Sequence, residues 1–223
     1  MNIEVKNINR NEVLKYLNYR GSEIPPEIDG LIDASLDEVS EKSTAKYTYS
    51  VFELEGTALK GTNFTLPGED IKVLLKDCKS VILMGATLGL SIDRLIHMTE
   101  FRDLSKSIVL DSCASAAIEA VCNEINKDLI VEYRKKGFYL TDRFSPGYGD
   151  MPLSFQRDFS KILNLSKNIG VNLSSTDLMI PRKSVTAIIG IADKPQKKRS
   201  AGCENCRMFK DCIYRKAGEH CGN

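Results

Sequence analysis

The chain has 223 residues, 42% of them hydrophobic, which suffices for one large domain, or a domain with appendages, and a sizeable core. Its 31 basic and 30 acidic residues leave a net charge of +1, so no global field favours nucleic acid or an anionic membrane. No apolar run approaches a membrane span and Met1–Lys6 has no signal-peptide core, so the chain reads as cytoplasmic; its seven cysteines then argue for metal, cluster or redox chemistry rather than structural disulfides.

In chain order, residues 3–5 alternate and predict a short strand. Asn9 to Leu17 predicts a helix with Val13, Leu14 and Leu17 on one side, and Tyr19-Arg20-Gly21-Ser22 breaks it. A second helix is expected from Pro26 to Ser43, with Ile28, Leu31, Ile32, Leu36 and Val39 as its apolar stripe. Residues 46–66 are β-prone and punctuated by Gly56 and Gly61, which predicts a hairpin or two to three strands. A short helix is expected over 68–78 and a short buried strand over Ser80–Gly85. Ala86-Thr87-Leu88-Gly89 leads from that strand to a helix beginning near Ser91; such a turn can hold a ligand at a helix N-terminus, and it is equally an ordinary connection.

The longest helical signal runs from Leu104 to Lys136, where Leu110, Ala114, Ala117, Val121, Ile125 and Leu129 form a core stripe. Ser112, Ser115, Ala116 and Glu119 make a neighbouring face of small residues around one carboxylate. A solvated mid-helix glutamate is the plainer reading of Glu119 alone. Leu153 to Ile169 predicts a further helix stopped by Gly170, Val171–Leu173 a short extended piece, and Val185–Ala192 a final core strand. Cys78, Cys113 and Cys122 fall in predicted helices as small buried hydrophobes.

Two segments carry chemistry. In Arg143-Phe144-Ser145-Pro146-Gly147-Tyr148, Pro146 fixes φ and Gly147 permits positive φ, the pattern of a type II turn. Arg143 can grip a carboxylate with two parallel hydrogen bonds, and Tyr148 adds a flat face and a hydroxyl. Together they suit a small zwitterion with an aromatic part; a surface Pro-Gly turn beside an ordinary Arg is the bland alternative. The second segment follows a polar linker, Lys194–Arg199. Cys203, Cys206, Cys212 and Cys221 stand there in the spacing C-x2-C-x5-C-x8-C, and four thiolates can hold either a tetrahedral zinc or an iron–sulfur cluster. His220 could substitute for one of them.

The pattern Arg143-x-x-Pro146-Gly147-Tyr148-x-x-x-Pro152 resembles the S-adenosylmethionine-binding loop of the reactivation domain of cobalamin-dependent methionine synthase. Asp111, Ser115, Ala116 and Ile118-Glu119-Ala120 resemble that family too, as do Ala86–Gly89 with Asp93, the Gly170–Leu173 turn, Met179, Pro181 and Ser184-Val185. The resemblance spans roughly residues 80–192. It implies an α+β fold, a C-shaped domain with a twisted, mainly antiparallel sheet flanked by helices. That domain would occupy residues 1–193, with 1–45 a helical N-terminal part, and 194–223 would form a linker and a metal-binding cysteine tail.

The resemblance further implies that Arg143 grips the carboxylate of S-adenosylmethionine and Glu119 meets its amino group. Backbone groups at Ser145 and Gly147 would bind the nucleoside or amino-acid part, and Tyr148 would line the site beside the sulfonium. The implied activity is reductive remethylation of cob(II)alamin, one-electron reduction coupled to methyl transfer. This chain lacks folate, homocysteine and cobalamin modules, so a partner corrinoid protein or methionine synthase module must supply the cobalt. An iron–sulfur cluster on the four tail cysteines would deliver the electron that larger members receive from flavodoxin, with flavodoxin or ferredoxin as its donor. A zinc site holding the tail is the milder version. Two departures stand out. The N-terminal 45 residues match poorly, so no ligand contact is mapped there, and the family's aromatic, proline and tyrosine segment after Val185 is replaced by the cysteine tail. A non-catalytic S-adenosylmethionine-binding or docking protein with a zinc-stapled tail is the alternative from another class.

Overall fold

The computed structural model describes residues 1–19, 21 and 23–196. The helix α1 (Arg10–Tyr16) starts at Asn9, whose side chain accepts from the Asn11 N–H at 2.9 Å. Pro26 opens α2 (Pro26–Lys42), with Glu27 and Asp29 in the first turn, where a carboxylate complements the helix dipole. The strands β1 (Lys46–Glu55) and β2 (Ala58–Leu59) form the expected hairpin, and α3 (Glu69–Leu75) follows.

Next come β3 (Cys78–Thr87), α4 (Leu90–Glu100), α5 (Leu104–Lys135) and β4 (Tyr139–Leu140). After a 3-10 turn at Leu153–Phe155 the chain forms α6 (Gln156–Leu163), α7 (Leu165–Ile169), β5 (Asn172–Leu173), β6 (Met179–Ile180) and β7 (Ser184–Ala192). One five-stranded sheet has the order β2-β1-β3-β7-β4, with every neighbouring pair antiparallel; β5 and β6 pair by themselves. The expected α+β class, a mainly antiparallel sheet flanked by helices, is what the chain adopts.

Both faces of the sheet are covered. Ile82, Met84 and Ala86 of β3 with Ala187, Ile189 and Ile191 of β7 join a core containing Val13, Ile32, Val39, Ile92 and the α5 stripe. The alternate residues Val81, Leu83 and Ile188 join a second core with Ile71, Phe144, Phe159, Leu165 and Ile169. Side chains alternate across a strand, so a central strand covered on both sides reads as a continuous apolar run, as Val81–Ala86 and Ala187–Ile191 do. Gly85 belongs to this arrangement: a Cβ there would stand 2.7 Å from Leu165 Cδ2, so α7 packs where only glycine leaves room.

Four local expectations change. Residues 3–5 form no strand; Asn2 makes a lone bridge to Lys46, and the Ile3 N–H donates to the Ala45 carbonyl at 3.1 Å. The buried strand is longer than Ser80–Gly85, ten residues, because β1 pairs with it over Ser80–Thr87 and β7 extends the pairing back to Cys78. Cys78 therefore begins β3 rather than ending a helix. The helix expected over Leu153–Ile169 is broken by Asn164, whose left-handed backbone (φ 46°, ψ 51°) ends α6 and starts α7.

Candidate ligand-binding site

The segment 139–144 runs along the free edge of β7 and fixes Arg143. Tyr139 and Leu140 pair with Ala192 and Ile191. The Thr141 N–H donates to the Gly190 carbonyl at 3.0 Å, and the Thr141 hydroxyl accepts from the Gly190 N–H at 2.8 Å. Phe144 and Ile188 exchange both backbone hydrogen bonds, at 2.9 and 2.7 Å. Phe144 is buried in the core beneath α6 and α7. Alternation then sends the neighbouring Arg143 to the opposite face, toward α5.

There Arg143 Nη2 donates to Glu119 Oε2 at 3.1 Å and to Asn123 Oδ1 at 2.9 Å. Glu119 and Asn123 are four residues apart on α5, so they stand one above the other on the same face. The structure thus joins two residues that lie 24 positions apart in sequence. The Arg143 side chain is only 21% exposed, and its Nη1 is buried with no hydrogen-bond partner. A buried guanidinium nitrogen without a partner is costly, and a carboxylate arriving there would satisfy it.

The Pro146–Gly147 turn has the expected form. The Tyr148 N–H donates to the Ser145 carbonyl at 3.2 Å, and Gly147 has φ 88°, which a side chain rarely adopts. The Gly147 N–H is committed within the loop, donating to the Met151 carbonyl at 3.0 Å, while the Met151 N–H returns to the Tyr148 carbonyl at 3.1 Å. This locking presents Tyr148 at 69% exposure.

One residue at the site, and one coupled to it electrostatically, escaped sequence reading. Asn123 lies four residues after Glu119, and that spacing was its only signal. Tyr16, at the end of α1, has its phenol pKa raised by burial and further by Glu119, Glu12 and Tyr148. It comes from the N-terminal part where no contact was mapped. Cys122, one residue before Asn123, is buried beside Arg143, and burial pushes its thiol up to about 12, so it is a packing residue rather than a nucleophile.

Asp111, Ser115 and Asp93, three further residues of the resemblance, belong to separate polar contacts with Lys183 and Arg182. Lys183, its side chain 10% exposed, pairs with Asp111 at 2.9 Å and donates to Ser115 Oγ at 2.8 Å. Asp93 accepts from the Arg182 N–H at 2.8 Å. These groups edge a cleft of about 340 Å³ between α4, α5 and the start of β7. The Ala86–Gly89 turn is packed against its surroundings: a Cβ on Gly89 would stand 2.1 Å from Thr44 Oγ1, and the Thr44 N–H donates to the Leu88 carbonyl. It is an ordinary connection. A second cleft, about 470 Å³, lies between the later turns of α5 and residues 138–142, where Pro195 and Gln196 leave the domain. Glu119, Arg143 and Tyr148 line neither cleft.

Among the described residues no group of three or more His, Cys, Asp or Glu could hold a metal, and no helix is long and apolar enough to cross a membrane. Cys203, Cys206, Cys212 and Cys221 lie outside the described residues.

No protein-family model matches this chain, and no curated protein matches it either. Among solved structures it is similar to the crystal structure of the MetH reactivation domain bound to AdoHcy, with a TM-score of 0.61 over 88% of this chain and 79% of that one. The two share that fold. Identity is 15%, so the likeness speaks for architecture, and what the site holds is argued from its own residues.

Proposed function

We propose that the chain binds S-adenosylmethionine, or its demethylated product, at Glu119, Arg143 and the Ser145–Tyr148 turn, and serves reductive remethylation in a corrinoid methyltransferase system. The observation that carries the reading is the buried, unpartnered Nη1 of Arg143 beside the Glu119 carboxylate. A ligand carboxylate would take the free edge of the guanidinium, and its ammonium would take Glu119. Tyr148 stands exposed on the adjoining turn, where it would line the site beside the sulfonium, and the loop backbone at Ser145 and Gly147 would come close because Gly147 lacks a side chain.

Methyl transfer from a sulfonium needs no general base, so the chain's residues act by holding and orienting the ligand. The corrinoid belongs to a partner, a corrinoid-binding methyltransferase or methionine synthase module. Cys203, Cys206, Cys212 and Cys221 would hold an iron–sulfur cluster that supplies the electron, with flavodoxin or ferredoxin upstream; four thiolates suit such a cluster. Anaerobically purified protein without iron and without visible charge-transfer absorbance would sink the electron role and leave the zinc-stapled docking protein.

Isothermal titration of S-adenosylmethionine and S-adenosylhomocysteine into wild type and Arg143→Ala tests the site. The substitution is expected to weaken binding by about 30- to 100-fold, the usual loss for a charge-assisted pair. A wild type that binds neither ligand, or an Arg143→Ala variant that binds as well as wild type, overturns the reading.

A further inference from the structure

Arg143 and the second cleft lie between the same two walls. One wall is α5. Glu119, Asn123, Asn126, Ile130 and Arg134 follow one another along it in steps of three and four residues, so they form one row on one side of the helix. The other wall is the segment 138–144. Arg143 meets the start of the row, at Glu119 Oε2 (3.1 Å) and Asn123 Oδ1 (2.9 Å). The cleft of about 470 Å³ takes up where that contact ends. Asn126, Ile130 and Arg134 of the row line it, together with Phe138, Tyr139 and Asp142 of the segment. Asp142 is the residue bonded to Arg143, and Asn126 follows Asn123 by nearly one turn. The cleft is therefore a continuation of the Arg143 contact along the same helix face.

Its lining combines an open acceptor with flat surfaces. Asn126 Oδ1 is buried and has no hydrogen-bond partner among the described residues. A buried acceptor left open is costly, and a donor arriving there would satisfy it. The Phe138 side chain is 41% exposed, while its backbone N–H is held by the Tyr133 carbonyl at 2.9 Å. Arg134 lies over the Tyr139 ring, 4.5 Å from its centroid.

We propose that this cleft takes the adenine of the S-adenosyl ligand and that Asn126 reads the base. The inference rests on the reading of Glu119 and Arg143 given above. A side-chain amide matches adenine, its oxygen accepting from the N6 amine and its nitrogen donating to N7. Seven residues of helix separate Glu119 from Asn126, about 10 Å along the axis. A ligand whose ammonium is on Glu119 reaches Asn126 only with its other end, and that end is the base. Phe138 supplies a face for stacking, which every base accepts, so the choice among bases falls to the amide.

S-inosylhomocysteine carries a carbonyl oxygen in place of the N6 amine and would set a second acceptor against Asn126 Oδ1. Wild type, Asn126→Leu and Phe138→Ala are titrated calorimetrically with S-adenosylhomocysteine and with S-inosylhomocysteine, and each protein is melted. Wild type is expected to prefer the adenosyl ligand by about tenfold or more. Asn126→Leu keeps the volume and removes the amide, so the preference should shrink to within about twofold. Its melting temperature should hold or rise, because an apolar group replaces an unpartnered polar one. An asparagine with a merely structural role would do the reverse, lowering the melting temperature and leaving the preference. Phe138→Ala is expected to weaken both ligands about tenfold, the loss of one stacked base, with the preference kept.

Equal affinity of wild type for the two ligands overturns the inference and leaves the Arg143 site standing. So does a preference that Asn126→Leu retains. Should Asn126→Leu fail to fold, wild-type affinity in Phe138→Ala overturns it equally. A wild type that binds neither ligand is the separate failure of the site on which the inference rests.

Discussion

Arg143 commits one terminal guanidinium nitrogen, Nη2, to two acceptors and buries the other, Nη1, without a partner among the described residues. Glu119→Gln keeps the shape and removes the charge that would meet an ammonium. It is expected to weaken S-adenosylhomocysteine about tenfold in the same titration, and unaltered affinity would take Glu119 out of the site. The cysteines make a different prediction. Burial pushes the thiols of Cys113 and Cys122 up to about 12 and that of Cys78 up to about 11. In the unfolded chain such thiols ionise near about pH 8.5. Their contribution to stability is therefore whole below that pH and is lost as pH rises toward the folded values, so the melting temperature should begin to fall above about pH 8.5. A level melting temperature up to about pH 10 contradicts this. At this scale the sequence showed Glu119 and Arg143 as the right residue types. Their meeting was not legible, because it depends on Thr141 and Phe144 pairing with the edge of β7.

At the scale of elements, legibility followed periodicity. The α5 stripe and the continuous apolar run of β7 announce themselves, since a helix buries one face and a doubly covered strand buries both. The two-residue β4 has no pattern of its own and exists because β7 offers unpaired groups. The break at Asn164 was hidden because no Gly or Pro marks it; asparagine tolerates the left-handed region through its short polar side chain. Asn164→Ala is expected to cost about 1 kcal/mol in urea unfolding, with Asn164→Gly close to neutral. Equal stability of the two variants would mean the kink is not set by this residue. Gly147→Ala should loosen the turn under Tyr148, since the residue has φ 88° and the new Cβ would meet Leu153 Cδ1 at 3.3 Å.

For the molecule as a whole, the two cores share one sheet and both close within the described residues. Lys194 pairs with Asp77 at 2.9 Å and Lys79 with Asp193 at 3.3 Å where the chain leaves the domain, and such exposed pairs contribute little. A chain cut after Gln196 is therefore expected to melt cooperatively within a few degrees of the full one and to bind S-adenosylhomocysteine with full affinity, while losing any bound iron or zinc. Loss of cooperativity on cutting would tie the cysteine segment into the fold. The strand order β2-β1-β3-β7-β4 is where sequence reading stops, because β3 and β7 are separated by four helices and only their shared burial joins them.

The pairing of Arg143 with Glu119 has one more consequence. The two charges neutralise each other, and a zwitterion of the kind proposed would add one contact at each end, its carboxylate on the free edge of Arg143 and its ammonium on Glu119. S-adenosylhomocysteine would leave the net charge of the site unaltered, so its affinity should be nearly indifferent to added salt, whereas S-adenosylmethionine would bring one further positive charge at its sulfonium and should respond to salt. A ligand bearing only one of the two charges would forgo one of these two contacts and is expected to bind more weakly.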